Sequence, residues 1–199
     1  NSNSEYYAEM DDLLGGEGYL DVYNFSDDIS EAQNDLRNPN RIVKNDDKFK
    51  YNYEVFASVI DGFAQVQYLR RKFEAYAALQ FDLTSYQRNG LYENGRYPGE
   101  KSYGKSEVLD FMNYGSKLGF VYKITGRHIL SANAFYATKS PSVQNSFSNI
   151  RENNETVIDI KSEDNLSADL NYYFRHPNMN ARISGYFIQQ QGRTSISFY

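Results

Sequence analysis

The sequence predicts an all-β protein, an antiparallel up-and-down portion of a transmembrane β-barrel with short periplasmic turns and long extracellular loops. Three observations lead there. Six stretches alternate apolar and polar residues at every second position, the signature of strands with one apolar and one wet face. Short and long connections alternate strictly between them, as in outer-membrane barrels. The composition agrees: 16% aromatic, with 19 Tyr and 13 Phe but no Trp, at a polar mean hydropathy of −0.71. Tyrosine-rich strands of polar average suit a wet lumen and aromatic girdles better than a Leu/Ile/Val core.

Along the chain, 1–48 reads as an acidic extracellular loop region. Its first 36 residues hold ten acids and no Lys or Arg, so the rest of the chain is +5 although the whole is −5. Such a block reads as a solvated loop. Clustered carboxylates such as Asp11, Asp12 and Glu17 are also hard-cation ligands, but their spacing does not match an EF-hand loop. From 49 to 199 the pattern is that of a partial barrel. Tyr51, Tyr53, Val55, Ala57 and Val59 form one row. The row then shifts parity near Asp61-Gly62, which calls for a bulge or for a bend between two strands.

The following rows run Ala64, Val66, Tyr68; Phe73, Ala75, Ala77, Leu79, Phe81, Leu83; Tyr114, Leu118, Phe120, Tyr122, Ile124; and Leu166, Ala168, Leu170, Tyr172, Phe174. Stretches 128–138 and 179–189 repeat the pattern, the former least cleanly. Each row is about ten residues long, what a tilted strand needs to cross a bilayer. Residues paired across a hairpin share a face, so row parity constrains loop length. The first turn must be even, such as Arg70-Arg71. The second must be odd, and Thr125-Gly126-Arg127 supplies three residues with a Gly able to turn left-handed. The third must be even, and Arg175-His176-Pro177-Asn178 fits. Long connections cover 1–48, 89–112 and 139–164, and another starts near Gln190.

Several classes of function find no support. Without cysteine there is neither a disulfide framework nor a thiolate metal site. His128 and His176 both lie at short turns, and no Gly-x-Ser-x-Gly elbow occurs, so the chain reads as a non-enzyme with no cofactor and no metal site. The acidic balance and the scattered bases argue against nucleic acid. Nothing approaches 18 consecutive apolar residues, a pattern that barrel strands never produce. The first residues lack signal-peptide regions, and 194–199 reads as a strand cut partway, so the chain is expected to be an internal fragment.

Candidate ligand contacts sit in the long loops. Arg88, Tyr92, Arg96 and Tyr97 belong to a turn-rich stretch whose rings could stack on a ligand while arginines hydrogen-bond it. Phe147, Asn149, Arg151 and Asn153 offer the same combination. These side chains could grip a glycan, a chelated metal or a peptide equally well.

Further stretches carry a family likeness: Gly62-Phe63-Ala64-Gln65-Val66-Gln67-Tyr68, Tyr86-Gln87-Arg88-Asn89-Gly90-Leu91-Tyr92, Asn113-Tyr114-Gly115-Ser116-Lys117, Tyr122-Lys123-Ile124-Thr125-Gly126-Arg127-His128 and Ala137-Thr138-Lys139-Ser140-Pro141-Ser142. Together with the Lys139-Ser140-Pro141 step and Ser162-Glu163, they resemble the barrel of TonB-dependent outer-membrane receptors over most of 49–199. That barrel has 22 strands and a plugged lumen, so the chain corresponds to about a third of it, without plug or coupling box. The resemblance implies energy-coupled uptake of a scarce, bulky ligand across the outer membrane of a Gram-negative bacterium. The implied partners are outer-membrane lipid, a TonB-type complex acting through the plug, and an unidentified ligand. A soluble β-barrel or sandwich binding module and a passive porin-like barrel remain the alternatives. Enclosure of Leu79, Phe81, Leu118, Phe120 and Leu170 in a globule would refute the membrane reading.

Overall fold

The computed structural model describes residues 1–10, 18–23, 26 and 28–196. The described residues form ten strands: β1 (Ser2–Glu9), β2 (Tyr19–Leu20), β3 (Ile42–Val43), β4 (Lys48–Leu69), β5 (Phe73–Gly90), β6 (Gly104–Lys105), β7 (Leu109–Lys123), β8 (His128–Lys139), β9 (Glu163–His176) and β10 (Met179–Gln191). Short 3₁₀ turns lie at Gly99–Lys101 and Val143–Ser146, and the described residues contain no α-helix. The main sheet is an antiparallel meander in the order β1-β4-β5-β7-β8-β9-β10, with β6 added beside β5, while β2 and β3 pair separately. The expected all-β, up-and-down character is therefore present. The sheet is open and does not close into a barrel. Among the described residues, β10 has no second neighbour, and neither does the part of β4 beyond Ala57.

From β4 to β10 every ladder between the long strands holds a single register, for example Tyr53↔Gly90 through Leu69↔Glu74 and Phe73↔Tyr122 through Tyr86↔Leu109. Side chains alternate faces along a strand and share a face across a ladder, so unbroken register gathers each row onto one side. One face carries the apolar rows 60–68, 73–83, 112–122, 130–136, 166–174 and 181–187. Beyond them on the loop side the same face turns polar together, with Ser58 opposite Ser85 and Ser85 opposite Asp110. The other face carries a hydrogen-bonded polar ladder. Asn113 and Thr84 donate to Asp82, Ser162 donates to Asn113, Tyr76 donates to Asn133, Asn133 and Asn171 donate to Asp169, and Arg182 donates to Asn171.

No element among the described residues covers the apolar face: Leu79, Leu118 and Leu170 are 65%, 57% and 54% exposed. Phe81 is exposed as well, and Phe120 is half-buried among its own sheet neighbours. The true core is small and lies on the opposite face at the loop end, where Tyr53 and Val55 meet Phe147 and Ile150 with Tyr51, Leu109 and Val143 around them.

That core accounts for the parity shift at Asp61-Gly62 with neither the bulge nor the bend between two strands that the sequence left open. β4 is one continuous strand whose pairing with β5 never slips. The parity changes because the environment does. Tyr53 and Val55 bury against the loops on one face, while Ala64, Val66 and Tyr68 extend the apolar row on the other.

The turns differ in detail. The first has the required even length but centres on Arg71-Lys72, with Arg70 and Phe73 exchanging backbone hydrogen bonds of 2.7 and 3.2 Å. The second keeps the expected odd spacing, since its ladder ends at Lys123↔Ile129; the Thr125 N–H donates to the His128 carbonyl, and Gly126 does not have positive φ. The third tightens to Pro177-Asn178, since His176 pairs directly with Met179. Within 1–48 the chain is more ordered than a solvated loop. β1 pairs with the start of β4, and Asp21, 3% exposed, accepts from Asn34, Arg41 and the Lys50 N–H at 2.5–2.9 Å. Asp11, Asp12, Glu17 and Asp27 of the acidic block, and the chain end 197–199, lie outside the described residues.

Gly119 on β7 sits directly opposite Tyr76, whose ring lies over it; a Cβ there would fall 2.0 Å from the ring. Replacing Gly119 with Val displaces Tyr76 and breaks its bond to Asn133. We expect a loss of about 1–3 kcal/mol, read as a lowered unfolding midpoint in urea. Gly62→Val, where nothing lies within 4 Å, leaves the midpoint close to wild type.

Candidate functional site

The loops after β5 and β8 fold over the polar face of the sheet instead of extending away from it. Arg88 holds them there. As an even-numbered residue of β5 it points to the polar face, and it is 1% exposed. Its guanidinium donates to the Ile150 carbonyl at 2.7 Å, the Ser102 carbonyl at 2.9 Å and Asn154 Oδ1 at 2.5 Å, and lies 5.1 Å from the Tyr53 ring. Gly90, the last residue of β5, admits the Ser102 backbone; a Cβ there would stand 1.8 Å from the Ser102 oxygen. The Asn89-Gly90 pair that reads as a turn thus ends a strand at a point of close approach. Asn153, 1% exposed, accepts from Ser148 Oγ and the Glu155 N–H. The Asn149 side chain accepts from the Arg151 N–H, while its carbonyl takes the Glu152 and Asn153 N–H groups.

Between this loop assembly and β1 lies a cleft of about 1000 Å³. Tyrosine is its main surface. Tyr6 stacks on Tyr53 at 5.4 Å between centroids and 16° between planes, and Tyr51 lies 6.0 Å from Tyr53. The two tyrosines of β4 reach the cleft because the odd row faces the loops at this height. Tyr6 reaches it because it pairs directly with Tyr53. Arg151 stands over the Tyr51 ring at 5.3 Å, and Arg96 over the Tyr23 ring at 4.6 Å. Tyr23 donates its hydroxyl to Glu152. Burial first, and then the Glu152 carboxylate, push the Tyr23 phenol up to about 12, so it remains a neutral donor at ordinary pH. Gln144, Asn145 and Asn149 add amides.

The eight residues singled out by sequence fall into three groups. Asn149 and Arg151 line the cleft, and Phe147, fully buried, lies beneath it in the core. Arg88 and Asn153 are buried and committed to holding the loops. Tyr92, Arg96 and Tyr97 lie off the cleft lining. Tyr92 accepts from Arg41 at 2.7 Å and donates to the Lys48 carbonyl, and exposed Arg96 covers Tyr23. Sequence reasoning missed Tyr6, Tyr23, Tyr51 and Tyr53. The parity shift in 49–69 was the available signal, because a row opposite to the apolar one must meet something other than the surroundings of that row.

Such a cleft offers flat π surfaces and convergent amide and guanidinium donors, a means of gripping a ligand with ring-like or planar parts. The described residues contain no group of three or more His, Cys, Asp or Glu arranged to hold a metal ion. Comparison with known proteins returns no matching family model, no matching curated protein and no matching solved structure.

Removing the Arg88 head group leaves the buried carbonyls of Ile150 and Ser102 without donors. We expect Arg88→Met to destabilise the protein by about 2–4 kcal/mol, each orphaned acceptor costing ~1–3 kcal/mol. Limited proteolysis would then cut within 92–108 and 143–160. Exposed Arg96→Ala should leave the digestion pattern unchanged.

Proposed function

We propose that this chain is part of the barrel of an outer-membrane receptor of the TonB-dependent type. Its apolar face lies against lipid and its tyrosine cleft opens toward a ligand arriving from the loop side. One observation carries the membrane half of this reading: six consecutive strands bring their apolar rows onto a single uncovered face in continuous register. A water-soluble monomer rarely exposes more than a few hundred Å² of contiguous apolar surface, and this face spans strands of 12 to 22 residues. Bilayer hydrocarbon is the solvent that such a face requires. The rings at its two margins, with Tyr68, Phe73 and Tyr122 at the short-turn end and Tyr114 and Tyr136 toward the loops, suit interfacial girdles.

The receptor half rests on the sequence resemblance and on the inward-folded loops. In this reading the cleft takes up a scarce, bulky ligand, and a TonB-type complex supplies energy through a plug. A passive porin is less favoured, because the loops of this chain pack over the polar face and frame a tyrosine-lined binding surface.

The test contrasts the two faces. Leu118→Arg puts a charge in mid-band and should cost about 2–4 kcal/mol of folding stability in phospholipid vesicles. Gln80→Arg, on the polar face, should cost little. A protein that stays monomeric in water without detergent and tolerates Leu118→Arg would overturn the proposal. For the cleft, Tyr51→Ala and Arg151→Ala should each weaken ligand capture at least tenfold in calorimetric titration against a panel of oligosaccharides, metal chelates and peptides, with vesicle folding unchanged.

A further inference from the structure

The three short turns gather most of the free positive charge of one end of the sheet. Arg70, Arg71 and Lys72 stand in the first turn, Lys123 and Arg127 flank the second, and Arg175 enters the third. Backbone bonds hold the turns side by side: the Lys123 N–H donates to the Lys72 carbonyl and the Arg175 N–H to the Arg127 carbonyl, both at 2.8 Å. The only carboxylate in these turns and their flanks is Glu74, which pairs with Lys123. Arg70 donates to the Tyr68 hydroxyl. The side chains of Arg71, Lys72, Arg127 and Arg175 make no hydrogen bond or ion pair with any described residue, and all four residues are exposed. This net positive rim belongs to a chain of net charge −5.

Next to the rim, on the apolar face, comes a belt of rings: Tyr68 against Phe73 at 6.1 Å, Phe73 against Phe120 at 4.8 Å, and His128 against Phe174 at 5.1 Å. At and just beyond the belt, large and small residues alternate across the strands. Ala75 and Ala77 on β5, and Ala132 and Ala134 on β8, form troughs beside the ridge of Leu118 and Phe120, with Val66 and Tyr68 as the outer wall. The hollow measures about 440 Å³ and is almost wholly apolar.

Unpaired cations, then rings, then an apolar trough follow the order of chemistry in a phospholipid: anionic head group, glycerol and ester region, acyl chain. We propose that the short-turn end of this protein binds an anionic glycerophospholipid leaflet, with head-group phosphates on Arg71 and Lys72 at the tip of the first turn, Arg127 and Arg175 adding positive charge from the opposite row, and an acyl chain along the alanine trough. The inference rests on the membrane reading above and adds to it which end meets which lipid. Exposed cations attract an anionic surface over a Debye length, so the effect must weaken with salt.

The experiment compares folding of the protein into vesicles of phosphatidylcholine alone and of phosphatidylcholine mixed with phosphatidylglycerol, at low and high salt. The wild type should fold at least severalfold faster in the anionic vesicles, and salt should erase the difference. The triple variant Arg71→Glu, Lys72→Glu, Arg127→Glu should fold in neutral vesicles as the wild type does and lose the anionic preference. Ala134→Phe, which fills the trough, should reduce the phosphatidylglycerol retained in native mass spectra. Equal folding in both lipids, or a triple variant that keeps the preference, would overturn the lipid site while leaving the membrane reading intact. Failure to enter either vesicle would overturn both.

Discussion

Unbroken pairing of the long strands is the constraint on which the rest of the molecule depends. A slip of one residue in any ladder would exchange the faces of every side chain beyond it. Six strands in a row avoid such a slip, so Leu79, Leu118, Ala134, Leu170 and Phe187 share one side while Asp82, Asn113, Asn133, Asp169 and Arg182 share the other. The polar side stabilises the same register through cross-strand hydrogen bonds between neighbouring strands. Side-chain chemistry on one face therefore fixes which residues must meet the surroundings on the other.

At the loop end the division of labour reverses. There the odd row of β4 is apolar and buried, because the connections fold back over it. Arg88 makes that possible by satisfying three acceptors from two different loops with one side chain, an arrangement suited to the planar, multi-donor guanidinium. The cleft is a by-product of this return. The loops meet Tyr51 and Tyr53 from one side, β1 supplies Tyr6 from the other, and stacked rings line the gap.

Much of the strand architecture is legible in the residues, since period-two alternation is local and the parity rule links neighbouring strands. Tyr122 and Leu130 can be matched without knowing anything distant. Parity leaves open the place of the two-residue turn in 70–73 and the length of the turn in 176–179, because a two-residue loop moved by one position, or a four-residue loop, satisfies it equally. The Asp61-Gly62 shift suggests a bulge or a bend only if apolarity means one environment along the whole strand, and in β4 the environment changes instead. Asn1 to Lys48 hid β1 for a different reason: a short strand rich in Glu, Asn and Tyr has no apolar row to betray it. The cleft was the least legible feature. It joins Tyr6, Tyr51 and Arg151 from three distant parts of the chain, and nothing local in any of them marks the meeting. Arg88 looked like a ligand contact because a loop-adjacent arginine beside tyrosines has the same composition whether it faces a ligand or its own backbone.

The central claim is that the apolar side of the sheet faces hydrocarbon. Spin labels placed one at a time from 73 to 83 on β5, in the protein folded into vesicles, test it most directly by comparing collision with oxygen, which concentrates in lipid, and with a water-soluble nickel chelate. The account predicts a period of two, with odd positions reached by oxygen and even positions by nickel, and oxygen access deepest near Leu79. Uniform nickel access, or odd positions shielded from both probes, would contradict it.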